Sequence, residues 1–291
     1  MIQICTHEYL NQKGYNCQIF AYLTGVLYNE RKETQEADVL ELKGREIGAG
    51  KPCICVPVME KEKEAVIEEI KCLSESTADM IEWRVDAFEN IADYNAIRDI
   101  LETIRPYLKE KIFLYTFRSK KQGGCAEVDE DTLNDLHDLA AESGCVDLID
   151  LEYFEEDRPA HKIYELHQKG VKVVASHHDF EETPDFGVMK MLLEKMCVGD
   201  ADIVKLAVMP QKKQDVLKLL AVTSEFCREN PKIPVITMSM GEMGVISRLS
   251  GESFGSCVTF AAHKKASAPG QMSLADVSTI LEMIHKSITN Q

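Results

Sequence analysis

Metal-site spacing is missing from this chain. Its ten cysteines include no CxxC pair, and no His/Cys cluster has the spacing of a zinc site. The thiols therefore read as reduced, mostly buried groups of a cytoplasmic protein. No apolar run reaches the length of a membrane span. Residues 19–28 are apolar but lack a basic flank and a cleavage site, so no signal peptide is read there. Basic residues are scarce: 33 Lys+Arg face 49 Asp+Glu, for a formal net charge of −16. That balance argues against nucleic acid and anionic membrane as partners. A small anionic ligand needs only a local basic pocket and stays open. No glycine-rich turn follows the first strand, which weakens a doubly wound dinucleotide-binding sheet.

What is present is a repeat. From residue 53 an apolar, β-branched run alternates with a helical pattern eight times. The expected strands are 53–58, 80–84, 111–117, 146–151, 171–176, 202–207, 233–238 and 256–260. A short helix is expected at 243–250, after the seventh strand, and the last helix at 274–287. Strands separated by helices pair in parallel. Eight such units in about 240 residues predict a (β/α)8 TIM barrel. Residues 39–47, with Gly44 at the turn, suggest an N-terminal β-hairpin. Residues 1–36 do not join the pattern and read as an appended segment, leaving 37–291 as a single barrel domain.

The run Ala201-Asp-Ile-Val-Lys-Leu-Ala-Val208 carries one lysine in an apolar strand. A desolvated ammonium loses part of its preference for charge, and a free amine can attack a ketone as a Schiff-base nucleophile. A strand-end lysine can also snorkel to water, and this run alone does not separate the two uses. The other strand ends decide. In a TIM barrel the strand C-termini form the active mouth. Here they bear Glu82 and Arg84, Arg118, Asp150 and Glu152, His177 and His178, Lys205, and Met238 and Met240. Alternation lets only one of the two histidines line the mouth. Lys264 and Lys265, in the loop after the eighth strand, read as solvated charges.

The order and spacing of these pieces resemble type I 3-dehydroquinate dehydratase, a Schiff-base enzyme. The matching stretches are Glu82-Trp-Arg-Val-Asp86, Tyr115-Thr-Phe-Arg118, Ala175-Ser-His-His-Asp-Phe180 and Asp202-Ile-Val-Lys205. Met238–Gly241, Arg248 and Ser267-Ala-Pro-Gly-Gln271 continue the match. The resemblance implies Lys205 as the Schiff-base lysine and His178 as the proton carrier. It implies Arg248, Ser267 and Gln271 at the substrate carboxylate and closing loop. Glu82, Arg84 and Arg118 would meet the ring hydroxyls, and Met238 would line the pocket. The implied substrate is 3-dehydroquinate, in aromatic amino-acid biosynthesis, with no metal or organic cofactor, in a cytoplasmic homodimer. One residue departs from the pattern: Gln122 stands where the family often has a glutamate beside the catalytic histidine. A glutamine accepts a hydrogen bond but brings no negative charge, so it supports imidazolium less. Two other readings of the same residues are a class I aldolase and a non-catalytic carboxylate-binding barrel.

Overall fold

Eight parallel strands close around a filled interior. The computed structural model describes residues 40–289. The expected appended segment, residues 1–36, lies outside the described residues. The barrel strands are β3 (Cys53–Val58), β4 (Met80–Arg84), β5 (Ile112–Thr116), β6 (Leu148–Glu152), β7 (Lys172–Asp179), β8 (Ile203–Val208), β9 (Val235–Ser239) and β10 (Val258–Phe260). From β3 to β9 each strand pairs in parallel with the next, and β10 pairs with β3. The last seam is joined by the Cys257 N–H, which donates to the Val235 carbonyl at 2.8 Å. The expected TIM barrel is the fold observed.

Between the strands run α1 (Lys63–Ser74), α2 (Tyr94–Ile104), α3 (Glu130–Glu142), α4 (Pro159–Gln168), α5 (Phe186–Val198) and α6 (Lys213–Glu229). Asp93 and Asp129 start α2 and α3 by accepting backbone N–H groups of the first turn. Where one short helix was expected after β9 there are two, α7 (Val245–Leu249) and α8 (Gly251–Phe254), and α9 (Leu274–Thr289) ends the barrel.

Strand parity sorts the side chains into two cores. Ile54, Val56, Ile81, Trp83, Phe113, Tyr115, Ile149 and Leu151 pack outward under the helices. Cys55, Met80, Ile112, Leu114, Leu148, Val174 and Ile203 fill the lower barrel. The hairpin is smaller than expected: β1 (Glu41–Leu42) and β2 (Arg45–Glu46) flank Lys43 and Gly44. Both turn residues have positive φ, 51° and 71°, the twist that a two-residue hairpin loop requires. Ile47, just after the hairpin, is buried among the interior residues and plugs the N-terminal mouth. β7 runs to Asp179, past its expected end, because its pairing with β8 continues to Asp179 opposite Val208. That extension keeps His178 in regular alternation.

Candidate active site

Parity places Glu82, Arg84, Asp150, Glu152, Ser176, His178 and Lys205 at the C-terminal mouth. Ser176 pairs in register with Lys205 and His178 with Ala207, so His178 stands one step above the lysine on the adjacent strand. His177 faces the other way. Its ring meets the Phe154 ring edge-on, with centroids 5.3 Å apart. This is the one-in, one-out arrangement expected of the pair.

Lys205 is 3 % exposed. Its Nζ donates to Asp150 Oδ2 at 3.0 Å and lies 4.7 Å from the centre of the Phe260 ring. An aromatic face is attracted to a cation and also keeps water away. Asp150 is shared: Arg118 Nη2 lies 2.8 Å from Oδ1, and the Ser176 hydroxyl donates to the same oxygen at 2.5 Å. Burial pushes the Asp150 carboxyl up, but Arg118, Lys205 and these hydrogen bonds outweigh it and bring it down to about 2. Arg118 Nη1 also donates to Glu152 Oε1 at 2.9 Å and to Ser176 Oγ at 3.0 Å. Burial opposes its charge, yet Asp150 and Glu152 hold the guanidinium above its ordinary range. Burial raises Glu152, and Arg118 only partly offsets this.

Arg84 does not pair with Glu82, its neighbour on the same face. A 3-10 turn over Val85–Ala87 ends the alternation and brings Asp86 back against it. Nε and Nη2 of Arg84 reach the two Asp86 oxygens at 2.7 and 2.8 Å. Asp86 also accepts the backbone N–H of Arg118 and of Cys125, so it ties two loops together. Glu82 accepts from the Thr116 hydroxyl at 2.9 Å.

Gln122 sits in a tight turn at the rim and is buried. Its Oε1 accepts the His178 backbone N–H at 2.9 Å and lies 3.1 Å from His178 Nδ1. The Gly-Gly pair behind it has a steric cause. Gly123 has φ 82°, and a Cβ there would stand 2.3 Å from the Phe180 ring. That ring stacks on His178 at 6.4 Å between centroids. A Cβ on Gly124 would strike the Arg118 carbonyl at 1.8 Å. His178 itself is half-buried. Burial and the cations Arg118, Lys205 and Arg84, with His177, pull its pKa well below the ordinary range.

Arg248, on α7, is buried at the same mouth. It donates from Nη2 to the Pro269 carbonyl at 3.0 Å and from Nη1 to Met238 Sδ at 3.6 Å. Its Nε has no hydrogen-bond partner among the described residues. Burial pulls its guanidinium down to about 10, still charged at neutral pH. Ser267 and Gln271 hold each other: the Ser267 N–H donates to Gln271 Oε1 and Gln271 Nε2 donates to Ser267 Oγ, both at 2.8 Å. Gly270 has φ 80° and lies so close to Gly241 that a Cβ would meet its carbonyl oxygen at 2.3 Å. Lys264 is not simply solvated: with His263 it pairs with Glu69 of α1, anchoring the base of this loop.

Fold and site define a TIM-barrel enzyme with a buried lysine beside a histidine, ringed by paired charges and one arginine with a free N–H. The sequence model for type I 3-dehydroquinase matches residues 54–288. The 3-dehydroquinate dehydratase of Clostridioides difficile strain 630 is 43 % identical over 250 residues, 86 % of this chain and 98 % of that one. The 3-dehydroquinate dehydratase of Escherichia coli O9:H4 strain HS is 44 % identical over 242 residues, 83 % of this chain and 96 % of that one. Among solved structures, type I 3-dehydroquinate dehydratase from Clostridium difficile with covalent modified comenic acid superposes with a TM-score of 0.82. It is 42 % identical and covers 86 % of this chain and 98 % of its own. The 3-dehydroquinate dehydratase from Geobacillus kaustophilus HTA426 gives a TM-score of 0.82 at 34 % identity, covering 87 % of this chain and 98 % of its own. The chain belongs to the type I 3-dehydroquinase family. No helix among the described residues is long and apolar enough to cross a membrane.

The motif residues Glu82, Arg84, Arg118, Gln122, His178, Lys205, Met238 and Arg248 gather at one mouth. Asp150, Glu152 and Asp86 had drawn no role from the sequence. The signal was there: Asp150 and Glu152 stand at i,i+2 on a strand end, as Glu82 and Arg84 do.

Proposed function

We infer that this hydro-lyase removes water from 3-dehydroquinate to give 3-dehydroshikimate, a step of the shikimate pathway, with Lys205 and His178 carrying the chemistry. The observation that carries this reading is the setting of Lys205: buried, between Asp150 and Phe260, one register step below His178. Asp150 holds the lysine nitrogen in place by its 3.0 Å hydrogen bond. The free amine adds to the C3 ketone, and loss of one water leaves an iminium. The positive nitrogen draws electrons from the neighbouring C2–H bond, and His178 takes that proton to leave an enamine. The enamine electrons then expel the C1 hydroxyl, and the proton on His178 leaves with it as water. A second water hydrolyses the iminium and frees both lysine and product, so one water is lost overall.

Arg248 is the ligand of the substrate carboxylate, for which its unpartnered Nε offers a donor. Ser267 and Gln271 close over it. Glu82, Arg84 and Arg118 face the ring hydroxyls, and Met238 lines the pocket under Arg248. Residues 37–291 form the catalytic unit, with 1–36 appended to it. We place the chain in the cytoplasm as a homodimer, which is what the family resemblance implies.

The test is intact mass after borohydride reduction in the presence of 3-dehydroquinate, with peptide mapping, on the full chain and on one starting at Glu36. A reduced adduct on Lys205 is expected in both, and turnover by Lys205→Ala lower by at least about a thousandfold. Near-normal turnover in folded Lys205→Ala overturns the Schiff-base assignment. Loss of the adduct only in the shorter chain overturns the domain division.

A further inference from the structure

The side chain of Gln122 has no freedom to turn over, and the reason lies outside the mouth. One end contacts the backbone N–H of His178, which can only donate, so that end is the carbonyl oxygen. The other end lies 3.1 Å from Glu155 Oε1, which as a carboxylate can only accept, so that end is the amide nitrogen. Both neighbours demand one orientation. The consequence reaches the histidine. Gln122 Oε1 cannot donate, so His178 Nδ1, 3.1 Å away, is the nitrogen that bears hydrogen. Nε2 keeps its lone pair.

Glu155 is itself fixed. It lies in the turn after β6, where its N–H donates to the Glu152 carbonyl at 2.9 Å. Its second oxygen, Oε2, accepts from Lys121 Nζ at 2.7 Å. Without this carboxylate, the Gln122 amide N–H would be a buried donor with nothing to bond, a costly state. The amide would then be held only at its oxygen end and would gain by swinging out toward water, which loosens the Nδ1–H contact and releases the imidazole to its other tautomer. Glu155 also supplies what glutamine lacks. It brings a negative charge to the relay, one hydrogen bond further from the ring than a glutamate at 122 would.

We propose that Glu155 is a positioning residue for proton transfer: by holding the Gln122 amide it fixes His178 in the Nδ1–H tautomer and leaves Nε2 as the base. This rests on the reading of His178 as the proton carrier. The groups that bear most strongly on the imidazole are Arg118, Lys205 and Arg84 at the mouth and His177 from the outer face of the strand, and all of them oppose its protonation. Lys121 faces Glu155 from the rim turn. Glu155 is the carboxylate bonded to the far end of the amide whose oxygen meets the ring.

The test measures kcat, KM and the pH dependence of kcat/KM for Glu155→Ala, Glu155→Gln, Lys121→Ala, Gln122→Glu, the double variant Gln122→Glu/Glu155→Gln, and His178→Ala. Glu155→Ala is expected to lose about tenfold in kcat with KM within about twofold and borohydride trapping of Lys205 intact. Its acid limb moves to lower pH, because imidazolium has lost its distant counter-charge and a base with a lower pKa stays free further into acid. Glu155→Gln keeps an acceptor for the amide and retains more kcat than Glu155→Ala. Gln122→Glu alone faces two carboxylates toward each other and is slowed. The double variant relieves that, recovers kcat, and moves the acid limb to higher pH because a carboxylate now touches the ring. Unchanged kcat and pH profile in Glu155→Ala overturn the proposal. So do equal losses in Glu155→Ala and Lys121→Ala, which would make Glu155 only the partner of a surface lysine. If His178→Ala is itself near normal, the reading of the histidine has failed. If His178→Ala is crippled and Glu155→Ala is not, only the role of Glu155 has.

Discussion

The two mouths of this barrel both carry charge, but they use it differently. At the lower mouth the charges lie outside an apolar plug. Ile47 fills the opening, and Lys43 and Arg45 reach over the rim to Asp147 and Asp79 at 3.2 and 3.0 Å. At the upper mouth the charges are inside. Arg118, Asp150, Glu152 and Lys205 are almost completely shielded and have one another as partners. Desolvating charges costs free energy unless pairing and hydrogen bonds compensate, and hydrophobic residues in their place are often neutral or stabilising. A fold seeking only stability would fill both ends like the lower one. The upper arrangement makes sense as preorganisation for the proposed reaction: fixed donors and acceptors in a water-poor site stabilise developing charge.

If that division holds, the largest effect on turnover without loss of fold comes from the upper mouth. His178→Ala is expected to reduce kcat by about 100- to 10,000-fold, the usual range for a general acid or base. His177→Ala should lower the melting temperature while kcat stays within a few-fold, since His177 packs against Phe154 outside the barrel. Steady-state kinetics and thermal melts on the two variants check this. The reverse pattern would place the working histidine on the outer face and break the comparison.

Much of this architecture was legible beforehand because it depends on parity and period. The eight apolar runs set the strands, and alternation put Glu82 and Arg84 on one face and admitted only one of the two histidines to the mouth, while the family resemblance chose His178 and gave Lys205 its role. Where parity stopped, so did the reading. Arg84 bonds Asp86 because a 3-10 turn breaks alternation right after the strand. Glu155 reaches Gln122 across 33 residues from an irregular turn, and no local pattern announces such a contact. Asp150 and Glu152 were visible as an i,i+2 pair, but their use as counter-charges depends on Arg118 after the adjacent strand and, for Asp150, on Lys205 two strands away. The lower mouth holds a repeat that sequence reading passed over. Asp79, Asp147 and Asp202 each precede a strand, and each accepts the backbone N–H of the strand before it, at Ile54, Phe113 and Val173.

Stability should respond most at the lower mouth. Ile47→Ala removes a buried branched side chain from the plug, at an expected cost of about 2–5 kcal/mol of unfolding free energy. Urea denaturation measures this, and kcat of the remaining folded enzyme should not change. A large fall in kcat without a fall in stability would mean that the plug is coupled to the upper mouth.

Arg248 separates binding from catalysis within the upper mouth. A charge-assisted hydrogen bond to a carboxylate contributes roughly 1.5–3 kcal/mol, so Arg248→Ala is expected to raise KM by about ten- to a hundredfold. Arg248 also bonds the Pro269 carbonyl, so the loop from Ser267 to Gln271 should become easier to cut with protease and lose its protection by substrate. An unchanged KM would remove Arg248 from the carboxylate site and leave it as a tether for that loop.

The smallest effect tests the other half of the contrast, the charges at the lower rim. Lys43 and Arg45 are partly exposed, with side-chain exposures of 29 % and 46 %. Exposed ion pairs contribute about 0–1 kcal/mol and are screened by salt. Their partners do not depend on them. Asp79 keeps the Ile54 N–H at 2.9 Å and Asp147 keeps the Phe113 N–H at 2.9 Å when the cation is gone. Burial raises the Asp147 carboxyl, with the Phe113 N–H and Lys43 pulling it back, so losing Lys43 still leaves the Phe113 contact in place. Lys43→Ala and Arg45→Ala should therefore each cost less than about 1 kcal/mol in denaturation at low salt, and less still at high salt. Arg118→Ala offers the contrast. It removes the cation that Asp150 and Glu152 share, leaving Asp150 with Lys205 and Ser176 but Glu152 with the Ser119 N–H and no cation, an expected cost of about 3–5 kcal/mol that salt cannot screen. Comparable losses at the two mouths, or equal salt sensitivity, would show that the lower charges are as structural as the upper ones, and the contrast between the ends of the barrel would fail.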